Sequence, residues 1–144
     1  MAMLYVMVIL AGKYGEGYCC ANDLDQSTGR VFKACARIIG ATPMLENSAK
    51  ITATKIEFRE TGSTIEAIAS DYAGAAGANP NFIVFDELWA YTSEGARRLW
   101  DEMVPVPTRK VSTRLTVTYT GFEGESVLLE ELYRRGLKEK IVIA

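Results

Sequence analysis

The run Phe82-Ile83-Val84-Phe85-Asp86-Glu87 sets two adjacent carboxylates at the end of four consecutive apolar residues. A continuous apolar run of this length reads as a strand buried on both faces, as in a parallel sheet. Ligands of such sheets bind beyond the carboxyl ends of the strands, and a buried strand ending in paired acids is what a Walker B element requires. In that role Asp86 holds a magnesium ion through water, while Glu87 orients and deprotonates an attacking water. Neighbouring side chains on an extended strand point to opposite sides, so the two acids share one site only if the chain turns between them. The bland alternative is an acidic pair that ends a strand and solvates a turn.

Composition narrows the chemistry further. The chain has 144 residues and no histidine, which removes Ser-His-Asp and Cys-His catalysis and the usual histidine-bearing zinc sites. Cys19, Cys20 and Cys35 are odd in number and have no CxxC spacing, so neither a disulfide framework nor a metal knuckle is indicated, and a reducing, intracellular setting is the simpler reading. Sixteen basic against eighteen acidic residues give a net charge of −2, which argues against binding nucleic acid by bulk positive charge. Catalysis would have to rest on carboxylates, Lys, Arg, hydroxyls or backbone. A carboxylate-metal nuclease using Asp86 and Glu87 with Asp71 or Asp101 is one such possibility.

The elements that must position these groups follow from hydrophobic period. Residues 1–12 are continuously apolar, which periodicity alone assigns to neither helix nor strand; helix is the expectation, stopped by Gly12 and the Gly15/Gly17 pair. The segment lacks a basic start and is short of the roughly 20 residues that span a bilayer, so neither a signal peptide nor an anchor is expected. A short strand at Tyr18–Ala21 and a polar turn precede an amphipathic helix with Val31, Ala34, Cys35, Ile38 and Ile39 at helical spacing. From Ile51 to Ile68 the period shortens to two and predicts a hairpin or meander with one wet face. A glycine- and alanine-rich connection, DYAGAAGANPN, leads into the apolar strand. A helix from about Ser93, its N-cap, to Met103 follows, then a strand at Arg114–Thr120. A final helix at Ser126–Lys138 is expected to turn Leu128, Leu129, Leu132, Tyr133 and Leu137 inward. Strands alternating with helices, plus one antiparallel hairpin, predict a three-layer α/β fold, a mostly parallel sheet with flanking helices, in a single domain over 1–144.

These pieces, taken in order, resemble the ATPase domain of the large terminase subunit of tailed bacteriophages. The resemblance rests on Ala21-Asn22-Asp23-Leu24-Asp25-Gln26 before the helix with Val31-Phe32, on Gly62-Ser63-Thr64 leading to Ala69-Ser70-Asp71, and on Gly77-Ala78-Asn79-Pro80-Asn81 running into Phe82–Glu87. Leu88-Trp89-Ala90-Tyr91 and Thr118–Gly121 complete it. It implies a partial P-loop NTPase-like fold, with Asp86 as the Mg²⁺-associated Walker B aspartate and Glu87 as the catalytic carboxylate. Thr118, Thr120 and Gly121 become the motif that couples hydrolysis to movement. That family uses ATP and Mg²⁺ to drive double-stranded DNA into a capsid, working with a portal and a small terminase subunit in the cytoplasm of the host cell.

The departure from the family is equally clear. A P-loop needs a glycine-rich turn, a Lys and a following Ser/Thr, whereas Gly12-Lys13 is followed by Tyr14 and the residue five before Gly12 is Met7. The resemblance therefore implies a domain without its Walker A end and without the nuclease domain, hydrolysing ATP feebly by itself. It also implies a strand missing between those carrying Asp86 and Thr120, and hence flanking strands that close up, borrow a partner or pair in a homo-oligomer. The alternative function is a non-catalytic protein-interaction module derived from an ATPase fold. Basic residues gathered in the second half, among them Arg97, Arg98, Arg109, Arg114 and Lys140, are expected to be solvated faces or salt bridges more than DNA or phosphate contacts. Trp89 and Trp100 are expected to pack rather than to stack on bases.

Overall fold

A computed structural model describes residues 1–70 and 77–139. The connection at 71–76, including Asp71, and the end of the chain from Lys140 lie outside the described residues.

The apolar opening is helical. Helix α1 (Ala2–Tyr5) continues into a π-helical turn, Val6–Leu10, and Gly12 leaves it at a φ of 72°, a conformation in which a Cβ would be strained. Strand β1 (Glu16–Cys20) follows, then α2 (Leu24–Ser27), a π-helical turn Thr28–Phe32, and α3 (Lys33–Ala41). The two-residue period yields β2 (Ala49–Ile51), β3 (Lys55–Phe58) and β4 (Thr64–Ile68), with Ile56 and Phe58 inward and Glu57 in water. Strand β5 (Phe82–Asp86) leads through a short 3₁₀ turn, Leu88–Ala90, to α4 (Glu94–Glu102), where Ser93 Oγ accepts from the Ala96 amide at 3.1 Å as the expected N-cap. Strand β6 (Thr113–Val117) and helix α5 (Val127–Lys138) complete the described chain.

The six strands form one mixed sheet in the order β2-β3-β4-β1-β5-β6. Strands β4, β1, β5 and β6 are mutually parallel, and β2 and β3 add the antiparallel excursion. The expected class, a mostly parallel sheet flanked by helices, is the one observed.

Alternating side chains on β1 and β5 build a core on each face. Cys19, Phe82 and Val84 meet α1 and α3 through Met3, Leu4, Phe32 and Ile39. Cys20, Ile83 and Phe85 meet α4 through Leu99, Trp100 and Met103 on the other side. Ile83 and Phe85 are wholly buried, and each such side chain contributes about 1.5–3 kcal/mol by leaving water. This double burial is why β5 carries no polar residue before its end.

Of the three outcomes expected for the flanking strands, closing up is the one observed: β5 pairs directly with β6, from Phe82 opposite Thr113 to Asp86 opposite Val117. Parallel strands of matching length close that ladder completely, so no gap is left. Two other points are corrections. Strand β6 stops at Val117, and Thr118–Thr120 leave the ladder as irregular backbone. In α5, Leu128 is buried and Leu129 and Leu132 pack partly, but Tyr133 and Leu137 are exposed, because the helix packs mainly against the three-residue turn Leu88–Ala90.

Candidate functional site

The carboxyl ends of β1, β4, β5 and β6 share one edge of the sheet, since the four strands run the same way. At that edge Asp86 is the last residue of β5, and Glu87 has φ 57° and ψ 48°, a left-handed conformation that is rare outside glycine. The chain thus turns between the two acids. That turn is the condition under which adjacent carboxylates serve one site instead of opposite faces of the sheet.

Both acids border an open cavity of about 550 Å³. Gly29 and Arg30 form one wall, from the π-helical turn after β1, and Trp89, Tyr119, Thr120 and Phe122 form another. The Glu87 carboxylate is held by both of its oxygens: Arg30 Nη1 donates to Oε1 and the Trp89 indole Nε1 donates to Oε2. Trp89 in turn meets the Phe122 ring edge-on at 5.9 Å between centroids. Burial pushes the Asp86 carboxyl above the usual carboxylate range, with the Glu87 charge adding to the rise and Arg30 opposing it.

The sequence-derived residues are not all alike in this arrangement. Asp86, Glu87 and Thr120 line the cavity, whereas Thr118 turns to backbone. Its hydroxyl accepts from the Trp89 amide at 3.1 Å and donates to the Tyr119 carbonyl at 2.9 Å, tying the end of β6 to the segment after Glu87. Gly121 is required by crowding: a Cβ there would lie 2.0 Å from Ser126 Oγ and 3.3 Å from Trp89 Cβ. Trp89 departs from its expected role, being a cavity wall and carboxylate donor as well as a packing residue, while Trp100 is core.

Arg30 is the residue that sequence reading missed. Its only signal was position, in the helix that follows β1 at the carboxyl edge of the sheet, where ligands of parallel sheets collect. Three of the basic residues that were singled out, Arg97, Arg109 and Arg114, are engaged elsewhere. Arg97 bridges Asp101 at 3.2 Å and Glu131 at 2.8 Å, as a salt-bridge surface should. Arg109 donates to the carbonyls of Asn79 and Tyr14. Arg114 lies 3.7 Å from the centroid of the Trp100 ring and donates to the carbonyls of Trp100 and Met103, closing the end of α4.

Asp101 is bound to Arg97 on an exposed surface, and among the described residues no group of three or more His, Cys, Asp or Glu converges as a metal cluster. The three cysteines are buried and free, and burial raises all three thiols, so they are poor nucleophiles at neutral pH. Among the described residues no helix is long and apolar enough to cross a membrane.

An acid-tipped strand between parallel neighbours here opens on a cavity at the carboxyl edge of the sheet, where ligands of parallel α/β sheets bind. No protein-family model matches the chain, and no curated protein matches it in sequence. Its fold is similar to that of the HK97 bacteriophage large terminase, at 15% identity over 97% of this chain, with a TM-score of 0.72. The match spans 29% of the HK97 chain, so this sequence corresponds to less than a third of that protein. The Thermus phage P74-26 large terminase ATPase domain is matched more loosely, at 16% identity over 85% of this chain and 54% of that one, with a TM-score of 0.46. By the HK97 match, the fold is similar to that of part of a large terminase, in agreement with the resemblance read from the sequence.

Proposed function

We propose that this chain is part of a DNA-packaging ATPase of the large-terminase type, contributing the acidic half of a site for Mg-ATP. The supporting observation is the left-handed turn at Glu87, which brings Asp86 and Glu87 to one cavity at the carboxyl edge of the sheet. Magnesium keeps several of its waters and takes one or two carboxylates, and the desolvated Asp86 carboxyl fits that need. Once bound, the ion neutralises charge on the phosphate oxygens.

Asp86 would hold that ion, and Glu87 would orient a water in line with the terminal phosphorus. The water oxygen bonds to that phosphorus and the bond to the bridging oxygen breaks, its electron pair leaving with ADP. The water's proton passes to the Glu87 carboxylate. Thr120 on the cavity wall would sense the phosphates, while Thr118, bonded to the Trp89 amide, and the crowded Gly121 would carry movement at the nucleotide into the backbone. Double-stranded DNA, a portal and a small terminase subunit are the partners this function calls for.

The sequence has no glycine-rich phosphate cradle with a Lys and a hydroxyl, so the isolated chain binds Mg-ATP weakly and turns it over feebly. Calorimetric titration with Mg-ATP, paired with turnover measured for the native chain and Glu87→Gln, tests this. Binding in both, with the residual turnover lost in Glu87→Gln, is expected. No binding at all, or turnover indifferent to the substitution, would overturn the assignment. Robust turnover lost in the variant would keep the site and refute the claim that the missing cradle is disabling.

A non-catalytic interaction module is favoured by one feature, the outer edge strand β6 with Leu115 and Val117 exposed. Absence of Mg-ATP binding would turn the balance toward it.

A further inference from the structure

Two aromatic rings stand largely in water beside the acids. Tyr119 is 69% exposed and Phe122 63% exposed, and both border the cavity into which Asp86 and Glu87 open. The segment that carries them is fixed. Thr118 ties its start to the Trp89 amide, the Phe122 amide donates to Ser126 Oγ at 3.2 Å, and Gly121 between the rings has no room for a Cβ. Trp89 backs the Phe122 ring edge-on. Rings held in water on an ordered segment have little freedom left to lose when a ligand covers them, and exposed apolar surface gathered at a cavity marks a binding site.

The lining divides by chemistry. Its charges are Asp86, Glu87 and Arg30, whereas the wall formed by Trp89, Tyr119 and Phe122 is aromatic. A cavity of about 550 Å³ is the size of site that takes a whole small molecule rather than an ion alone. Among the described lining residues none is Asn or Gln, so no side-chain amide is placed to read the edge of a base. A nucleic-acid strand is the poorer occupant, since two acids and one arginine border the cavity where a phosphate backbone needs positive charge.

We infer that Tyr119 and Phe122 form a stacking seat for the base of the nucleotide whose phosphates meet the acids. The seat rests on the Mg-ATP assignment above. It adds that the organic half of the ligand is held by ring faces, so that the area of the base decides affinity and the pattern on its edge does not. Purine nucleotides bind alike, and pyrimidine nucleotides, with one ring in place of two, bind more weakly.

Calorimetric titration with Mg-ATP, Mg-GTP, Mg-UTP and Mg-ribose 5-triphosphate, which lacks only the base, tests the seat. On the native chain Mg-ATP and Mg-GTP should bind about tenfold more tightly than the baseless compound, with Mg-UTP between. Tyr119→Ala and Phe122→Leu should each remove most of that advantage and leave binding of Mg-ribose 5-triphosphate unchanged, which also shows that the variant is folded. Tyr119→Phe keeps the ring and should keep the advantage.

If Mg-ATP binds the native chain no better than Mg-ribose 5-triphosphate, or its advantage survives both substitutions, the seat is wrong while the Asp86–Glu87 site stands. A strong preference between Mg-ATP and Mg-GTP would overturn stacking as its basis. Binding of single-stranded oligothymidylate in place of Mg-ATP, lost in Tyr119→Ala, would assign the rings to a nucleic-acid strand instead. If no triphosphate binds the native chain, both proposals fall.

Discussion

The Glu87 amide donates to the Val117 carbonyl at 2.9 Å, carrying the β5–β6 ladder one residue past the end of β5. Glu87 therefore enters its left-handed turn with its amide already committed to the neighbouring strand. The position of the acid pair depends on β6 as much as on β5, and the residues that follow β6 are tied to the same point through Thr118.

Asp86 should lower the stability of the fold at neutral pH. Burial raises its carboxyl above the usual range, so the folded chain holds that proton more tightly than the unfolded chain does. Stability from such a group is fully present below the unfolded carboxylate value and is lost as pH rises through the folded one. Asp86→Asn should accordingly be more stable than the native chain at pH 7, with a higher Tm. The gain should vanish at acid pH, and magnesium should stabilise the native chain more than the variant. Thermal melts across pH, with and without the metal, check this.

Gly121→Ala should destabilise the fold by about 1–3 kcal/mol, because a Cβ there collides with Ser126 and presses on Trp89. The hydroxyl of Ser126 accepts from the Phe122 amide and donates to the Trp89 carbonyl, so pushing it aside loosens the cavity wall those two residues help to form. Urea denaturation would give the size of the loss. A Ser126→Ala, Gly121→Ala double variant should recover part of it, since the closest clashing atom is removed.

Arg114→Ala should cost about 1–3 kcal/mol from two lost carbonyl hydrogen bonds at 3.0 and 3.2 Å and the stacking on Trp100. Arg114→Lys should restore less than half of this, because an ammonium does not reproduce a planar fork lying on a ring. Denaturation midpoints of the three chains decide it.

Tyr91 offers the opposite sign. Its hydroxyl is buried and, among the described residues, has no hydrogen-bond partner, while its ring meets Phe85 edge-on at 5.5 Å. Tyr91→Phe should keep the ring contact and relieve the stranded hydroxyl, leaving stability unchanged or higher by about 1 kcal/mol. A loss of stability in the melt would contradict the description of this hydroxyl.

The layered fold was legible in the chain because periodicity is a local signal. The apolar run at 82–85, the alternation at 55–58, the Ser93 cap and the helical spacing around Cys35 each mark an element without reference to the rest. Register and partnership are not local. Which of the possible outcomes the flanking strands would take was not legible because nothing in either strand names its neighbour, and the exposure of Tyr133 and Leu137 depended on what α5 packs against.

The sequence by itself determined which chemistry this chain can perform: no imidazole, no phosphate cradle, and two carboxylates at the tip of a strand too apolar to lie anywhere but inside. Only the tertiary structure decided how those acids are presented. The left-handed turn at Glu87, the reach of Arg30 across 57 positions and the crowding that demands Gly121 arise where separate elements meet at one sheet edge. Burial preferences act residue by residue and leave a pattern in the chain, whereas charge pairing and steric contact act through space between residues whose proximity the fold creates.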